Sequence, residues 1–262
     1  TELSNEEGET WTAGVVFTSP FDGLFSNATL SIDWYQVKIK DAIAPTNALS
    51  VYEKCLNRDG SNPSYDVNNS YCRLITRDND GYRATVDTPY FNLGGIETSG
   101  IDLQLNWSFP LGAGRMNINS VINFLDYYRD QVSPADAFVD ATGTLSRGGQ
   151  YDYRTFTTFS FNQDKWGVGL SHRFLPSIES ADYASNKNTT VQGAGSYNMF
   201  DLFGSFSIND TVSLRGGIDN LFDTDPEIVG VNPGVTEAAG STLPQFYDVL
   251  GRRYYMNVSY SF

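Results

Sequence analysis

The stretch Phe246-Tyr-Asp-Val-Leu-Gly-Arg-Arg-Tyr-Tyr-Met-Asn-Val-Ser-Tyr-Ser-Phe262 decides how the rest of the chain is read. One phase carries Tyr254, Met256, Val258, Tyr260 and Phe262; the other carries Arg253, Tyr255, Asn257, Ser259 and Ser261. A period of two is that of a strand with one apolar and one polar face. The alternation runs to the last residue, where soluble domains more often carry a frayed polar tail. Soluble strands average about five to six residues, whereas a tilted strand crossing a bilayer needs about nine to eleven, and this one reads as the longer kind. Its apolar face needs a cover, which is either a second protein layer or lipid.

Composition narrows the choice. At 262 residues the chain is one large domain or two small ones. Mean hydropathy is −0.32, and no apolar run approaches the roughly eighteen residues of a membrane helix. A transmembrane barrel hides its membrane signal, because lipid-facing and water-facing residues alternate and their average looks soluble. Aromatic residues make up 14% and there are 24 glycines, a mixture that suits strands and tight turns. A net charge of −14 argues against a nucleic-acid partner, since phosphate binding needs a basic footprint. No signal peptide is visible at Thr1, so the sequence reads as processed or as a piece of something longer. Cys55 and Cys72 lie in a polar stretch rich in Asn, Asp and Ser, which suggests a disulfide formed in an oxidising compartment; two free thiols are the alternative.

Working back along the chain, eight more segments alternate like the last. The first runs from Gly8 to Pro20 with Trp11, Ala13, Val15 and Phe17 in phase; the second carries Ala28, Leu30, Ile32 and Trp34. Past Trp34 the apolar phase slips to Val37 and Ile39, as at a bulge or where a strand leaves the membrane. From about Lys40 to Leu93 comes a long excursion, with a helix start after Pro45 for which Thr46 is the expected N-cap. A hairpin is expected around Asn79-Asp80-Gly81, from Arg73–Asp78 and Tyr82–Thr88. Asp78, Asp80 and Gly81 superficially suggest a calcium loop, but EF-hand spacing and its closing Glu are missing, so they read as a turn.

The third long strand sets Ile101, Leu103, Leu105, Trp107 and Phe109 against Asp102, Gln104, Asn106 and Ser108, and turns at Pro110-Leu-Gly-Ala-Gly114. The fourth sets Met116, Ile118, Ile122 and Phe124 against Asn117, Asn119, Val121 and Asn123. Three asparagines in phase are costly in a dry core and natural in a water-filled lumen. Four more strands follow around Tyr153–Phe161, Trp166–Phe174, Phe200–Ile208 and Val212–Ile218, the second and fourth carrying Arg173 and Arg215 with Asp219 on their polar sides. Long polar stretches separate them at about Asp130–Gln150, Pro176–Ser196 and Asp223–Gln245.

Short turns and long loops therefore alternate through about nine long strands, the layout of an antiparallel transmembrane β-barrel with tight periplasmic turns and long external loops. The tryptophans Trp11, Trp34, Trp107 and Trp166 fall on the lipid phase and are expected in two interfacial girdles. Asp102, Gln104, Asn106, Asn117, Asn119, Asn123, Arg173, Arg215, Asp219 and Arg253 are expected to face the lumen. An odd strand count is awkward for a complete bacterial barrel, so residues 1–262 are expected to be the carboxyl-terminal portion of a larger one.

Four blocks sharpen this: Gly94-Gly-Ile-Glu-Thr-Ser-Gly-Ile-Asp102, Ser196-Tyr-Asn-Met-Phe-Asp-Leu202, Gly217-Ile-Asp-Asn-Leu-Phe-Asp223, and Tyr247-Asp-Val-Leu-Gly-Arg-Arg-Tyr-Tyr255 with Phe262. Together they resemble the carboxyl half of TonB-dependent outer-membrane receptors. The resemblance implies a barrel of about 22 strands around a plug, in the outer membrane, importing a scarce nutrient such as a siderophore, vitamin or oligosaccharide. The plug and the box that contacts TonB have no counterpart in these residues. The implied partners are the outer-membrane bilayer, the plug and remaining strands, the TonB complex, an unidentified small-molecule ligand, and the barrel-assembly machinery, for which Tyr254, Met256, Val258, Tyr260 and Phe262 would be the signal.

An enzyme reading is poor, because the single histidine, His172, lies in a strand without cysteine or metal-ligand spacing nearby. No cofactor or metal site is expected. The rivals to the receptor are a small porin-like or surface-binding barrel and a soluble extracellular glycan-binding β-sandwich.

Overall fold

The structure is a computed structural model that describes residues 3–58, 60–81, 84–92, 94–131, 137–189, 192–229 and 242–261, the Arg147 side chain apart. Nine long strands lie side by side in chain order: β1 (Glu7–Thr18), β2 (Ala28–Lys40), β3 (Ile96–Leu111), β4 (Gly114–Asp130), β5 (Tyr153–Gln163), β6 (Trp166–Leu175), β7 (Tyr197–Ser207), β8 (Val212–Asp219) and β9 (Arg253–Tyr260). A two-residue strand, Val139–Asp140, adds to β4 outside this path. Every neighbour is the next strand in sequence, and β1 and β9 end the sheet without pairing to each other. The sheet is thus an open piece of a barrel wall.

Register carries the argument furthest. Across six strands, Met116, Phe161, Val168, Gly204, Gly216 and Met256 stand in one row. Two residues along, Ile118, Phe159, Leu170, Leu202, Ile218 and Tyr254 stand in the next. A slip of one residue anywhere would throw a whole strand onto the other face. Among the described residues no protein layer covers this apolar face: Val168, Phe206 and Met256 are 41%, 47% and 76% exposed. Leu103, Ile118 and Leu214 are half-buried by sheet neighbours alone, which is incompatible with a sandwich core.

The turns explain the tight hairpins. β3 and β4 are joined by Gly112 and Ala113 alone, with Gly112 at φ +60°. Pro110, expected in that turn, instead lies within β3, so the strand is longer than its periodicity suggested. Asp164 takes φ +46° between β5 and β6. At the β7–β8 turn Asn209 Oδ1 accepts from the Thr211 and Val212 N–H groups at 2.9 and 2.8 Å, an Asx-type turn. The phase slip after Trp34 is real and lies inside β2, which continues to Lys40: neighbouring Tyr35 and Gln36 both reach one face of β4, at Asn123 and Tyr127. The final strand is shorter than expected, eight residues among those described, while β1 to β7 run ten to seventeen. Phe262 lies outside the described residues.

The backbone groups into two units, Thr1–Glu9 with Lys38–Ile96 and Asp130–Phe138, and Thr10–Val37 with Glu97–Arg129 and Val139–Phe262. In the first, α1 (Ala48–Cys55) starts at Asn47, not Thr46: Asn47 Oδ1 accepts the Ser50 N–H at 2.8 Å. Thr46 stands one residue earlier, where its N–H bonds to the Pro89 carbonyl and extends the pairing of Ile43–Pro45 with Tyr90–Asn92. Cys55 and Cys72 form a disulfide with Cα atoms 4.8 Å apart. Inside its ring, buried Asn62 donates to the Cys55 and Asp66 carbonyls at 2.8 and 3.1 Å. The Asn79-Asp80-Gly81 hairpin forms with only three residues a side, Ile75–Arg77 and Ala84–Val86. Tyr82, Arg83 and Leu93 lie outside the described residues. Asp78 accepts the Gly81 N–H at 3.0 Å with Gly81 at φ +72°, so these residues make a turn.

Replacing Cys55 and Cys72 by serine removes the cross-link and is expected to cost this loop about 3 kcal/mol. Hydrogen exchange should quicken through residues 55–72 with β3 to β9 unchanged; equal exchange would mean that Asn62 alone holds the loop.

Candidate functional site

The polar face of the sheet is built by the same register. Asn123 Nδ2 donates to Asp102 Oδ1 at 2.7 Å, and Ser108 donates to Asn117 Oδ1 at 2.8 Å while accepting from Arg115 at 3.2 Å. Gln104 and Asn106 fall between Asp102 and Ser108 on the same phase. Asn119 stands opposite Thr158, Arg173 between Phe156 and Met199, and Arg215 between Ser205 and Asn257. Asp219 faces Arg253 across β8 and β9. These ten polar residues therefore share one face of the sheet. Tyr255 was expected on this phase but Phe203 was not: Phe203 lies over Gly169, and Tyr255 over Gly217, each ring filling the space a Cβ would take.

The tryptophans divide. Trp107 Nε1 donates to the Leu24 carbonyl at 2.9 Å and its ring stacks on Phe25, both beside the β1–β2 turn; Trp166 meets Phe161 at the β5–β6 turn. Trp11 and Trp34 stand in β1 and β2 away from those turns. At the other end of the apolar face the aromatic band is made by Phe124, Tyr153 and Phe174, successive centroids 5.9 Å apart. His172 belongs beside that band: it stacks on Phe200 at 4.3 Å and its Nε2 shares a 2.9 Å hydrogen bond with Asn198.

The buried core of the second unit lies off the strand centres, at the end where the long connections gather. Leu145, Tyr151, Leu175, Ile178, Tyr197 and Tyr247 are its main members, with Phe246 packed against them. The Tyr151 and Tyr247 hydroxyls are 2.6 Å apart, and the Tyr197 hydroxyl accepts the Asp248 N–H at 3.3 Å. The segment Leu243–Asp248 is thus folded onto polar-face residues Tyr197 and Met199.

Two residues sequence reasoning missed hold this segment. Asn220, fully buried at φ +52°, donates to the Thr224 carbonyl and to Asp248, accepts from the Thr224 N–H at 2.8 Å, and gives its own N–H to Asp201. Asp248 in turn accepts from Arg253 Nη1 at 2.9 Å, and Asp219 is 3.6 Å from Arg253 Nε. The cavity beside this network, about 430 Å³, is lined by Arg173, Asp201, Asp219, Phe246, Asp248 and Arg253 among others. Asparagine tolerates positive φ better than other non-glycine residues, and that was the available signal in Asp219-Asn220-Leu221.

Burial raises the Asp248 carboxyl, but hydrogen bonds from Arg253, the Leu250 N–H and Asn220 outweigh it and leave it below the usual value of 3.8. Its folded value being the lower one, the stability it gives is present above about pH 3.8 and lost as pH falls through the folded value. Burial likewise pushes the Tyr151 and Tyr247 hydroxyls above 10.0, so their contribution stands below that pH and fades as they ionise. Hydrogen-exchange protection factors over residues 242–252, each rate taken relative to the intrinsic rate at that pH, should therefore be highest at intermediate pH and fall at both extremes, and Asp248→Asn should flatten the acid limb alone. Replacing Asn220 with Ala should cost about 2 to 3 kcal/mol and quicken exchange there at every pH; an unchanged rate would contradict its role.

Comparison with known proteins places this geometry. The sequence profile described as TonB dependent receptor-like, beta-barrel, matches residues 1–221. The fold is similar to the siderophore receptor PirA from Acinetobacter baumannii, at TM-score 0.57 and 15% identity, covering 100% of this chain and 32% of that one. It is similar to the outer membrane transporter YddB from Escherichia coli, at TM-score 0.61 and 10% identity, covering 100% and 33%. It is similar too to the pyoverdine receptor FpvA from Pseudomonas aeruginosa, at TM-score 0.57 and 14% identity, covering 99% and 30%. The chain spans about a third of the length of these structures. With its one-sided apolar register, its alternating turn lengths and this match over most of its residues, the chain belongs to the TonB-dependent receptor β-barrel family of the bacterial outer membrane.

Proposed function

We propose that residues 1–262 form the carboxyl-terminal portion of a plugged barrel of about 22 strands that imports a scarce nutrient across the outer membrane. The observation that carries this reading is the registered sheet, apolar on one face and hydrogen-bonded polar on the other, with neither end strand paired to its opposite. A bilayer does not tolerate open edges, so further strands must complete the wall. In this reading the apolar rows face lipid, with Trp107 and Trp166 in the inner girdle and Trp11 and Trp34 higher in the band. Asp102, Gln104, Asn106, Asn117, Asn119, Asn123, Arg173, Arg215, Asp219 and Arg253 line the lumen and face the plug and its water.

The long connections form part of the external vestibule that receives a small-molecule ligand. Coupling to the TonB complex belongs to the rest of the receptor. The apolar phase of β9, Tyr254, Met256, Val258 and Tyr260, with Phe262 beyond, is the edge offered to the barrel-assembly machinery.

Import is tested by growth competition between strains with and without the complete receptor, each with and without TonB, on limiting ferric chelate, cobalamin or oligosaccharide in turn. An advantage in one medium that vanishes without TonB supports import, and no advantage in any of them contradicts it. Changing Tyr260 and Phe262 together to serine should cut the amount of heat-modifiable receptor in outer-membrane fractions at least severalfold; normal insertion would remove the assembly role.

A further inference from the structure

Beside Phe246 the polar face holds two guanidinium groups that form no ion pair among the described residues. Arg154 and Arg173 are diagonal neighbours on β5 and β6: Arg173 stands opposite Phe156, and Arg154 is two residues further along on the same face. Side chains so placed are within mutual reach. Both are exposed to a cavity of about 450 Å³, a size that suits a small ligand. Its other principal walls are Asn123, Phe156, Gln245 and Phe246, and among the described residues no Asp or Glu lines it. This runs against composition, because the chain has 31 acidic residues to 17 basic ones.

The neighbouring cavity, on the other side of Arg173, has the opposite balance. There Asp201, Asp219 and Asp248 accompany Arg253, which already serves Asp248 and Asp219. Asp201 has taken the Asn220 N–H. Among the described residues neither Arg154 nor Arg173 has an ion pair. Phe246 stands between the two cavities and is fixed by its edge contact with Tyr151 at 5.1 Å.

Two planar, permanently charged forks next to each other recognise carboxylates in a two-point fashion. Phe156 and Phe246 supply flat apolar walls, and Asn123 and Gln245 neutral hydrogen-bonding groups. We propose that this cavity is a ligand subsite for an organic anion that carries two carboxylates on a flat apolar body. It deepens the import reading, on which it rests, by giving the ligand a charge and a shape, and it places that contact near the external ends of β5 and β6.

The probe is isophthalate, with its uncharged dimethyl ester as the comparison, titrated calorimetrically into the complete detergent-purified receptor. Isophthalate should bind, and the diester at least about tenfold more weakly. Arg154→Gln and Arg173→Gln should each weaken isophthalate at least about tenfold, while Lys165→Gln in the β5–β6 turn leaves it unchanged. Raising salt to about 0.5 M should weaken binding further. Heat-modifiable gel mobility verifies that each variant is a folded barrel. Equal binding of acid and ester, no binding of either, or wild-type affinity in both arginine variants overturns the subsite. The growth competition scores import separately: TonB-dependent growth without isophthalate binding removes the subsite alone, and binding without any TonB-dependent growth removes import alone.

Discussion

Backbone pairing in strict register is the constraint on which the rest of this molecule depends. Each long strand is amphipathic by itself, but an amphipathic strand has no fixed orientation until its neighbours impose one. The hydrogen-bond ladders from β4 to β9 align Ile118, Phe159, Leu170, Leu202, Ile218 and Tyr254 into a continuous oily row. The same ladders place Asn117, Ser160, Gly169, Phe203, Gly217 and Tyr255 on the reverse side. Among the described residues no second layer of protein covers the oily side, and in the proposed reading that side meets lipid while the opposite face is left to water and to whatever occupies the barrel.

A wall of this kind has almost no interior of its own, so the buried core has to form elsewhere. It forms where the long connections meet, around Tyr151, Tyr197 and Tyr247. Three phenols are well suited to that border, since their rings bury apolar area while their hydroxyls satisfy one another and the backbone. Asn220 and Asp248 then join the end of β8 to the start of β9, so that a surface connection becomes part of the mouth of the wall. The consequence for function is positional: Phe246 is held at a fixed place between an acid-rich cavity and an acid-free one.

The wall was legible in sequence because period-two alternation is a local property. Ile101 to Phe109 or Tyr254 to Tyr260 states its two faces without help from any partner. The phase slip after Trp34 was legible for the same reason, and the structure explains it by the shared reach of Tyr35 and Gln36 toward β4. What stayed hidden depends on contacts between distant segments. Thr46 and Asn47 are both acceptable caps on paper, and the fold uses Asn47 while Thr46 continues the pairing toward Pro89. The outer aromatic band of Phe124, Tyr153 and Phe174 needs a register that no single strand encodes. The tyrosine core joins residues 96 positions apart, each just beyond a stretch that reads as polar loop. The two free arginines are unremarkable singly and acquire meaning only when β5 and β6 set them side by side.

The orientation of the two faces is tested most directly by nitroxide labels placed singly at Ile118, Leu214, Asn117 and Arg215 in the complete receptor in bilayers. Collision rates are then measured with oxygen, which concentrates in lipid, and with a water-soluble nickel chelate. Labels at Ile118 and Leu214 should favour oxygen, and those at Asn117 and Arg215 the chelate or neither. Chelate access at Ile118 and Leu214 equal to that at Asn117 and Arg215 would contradict the account.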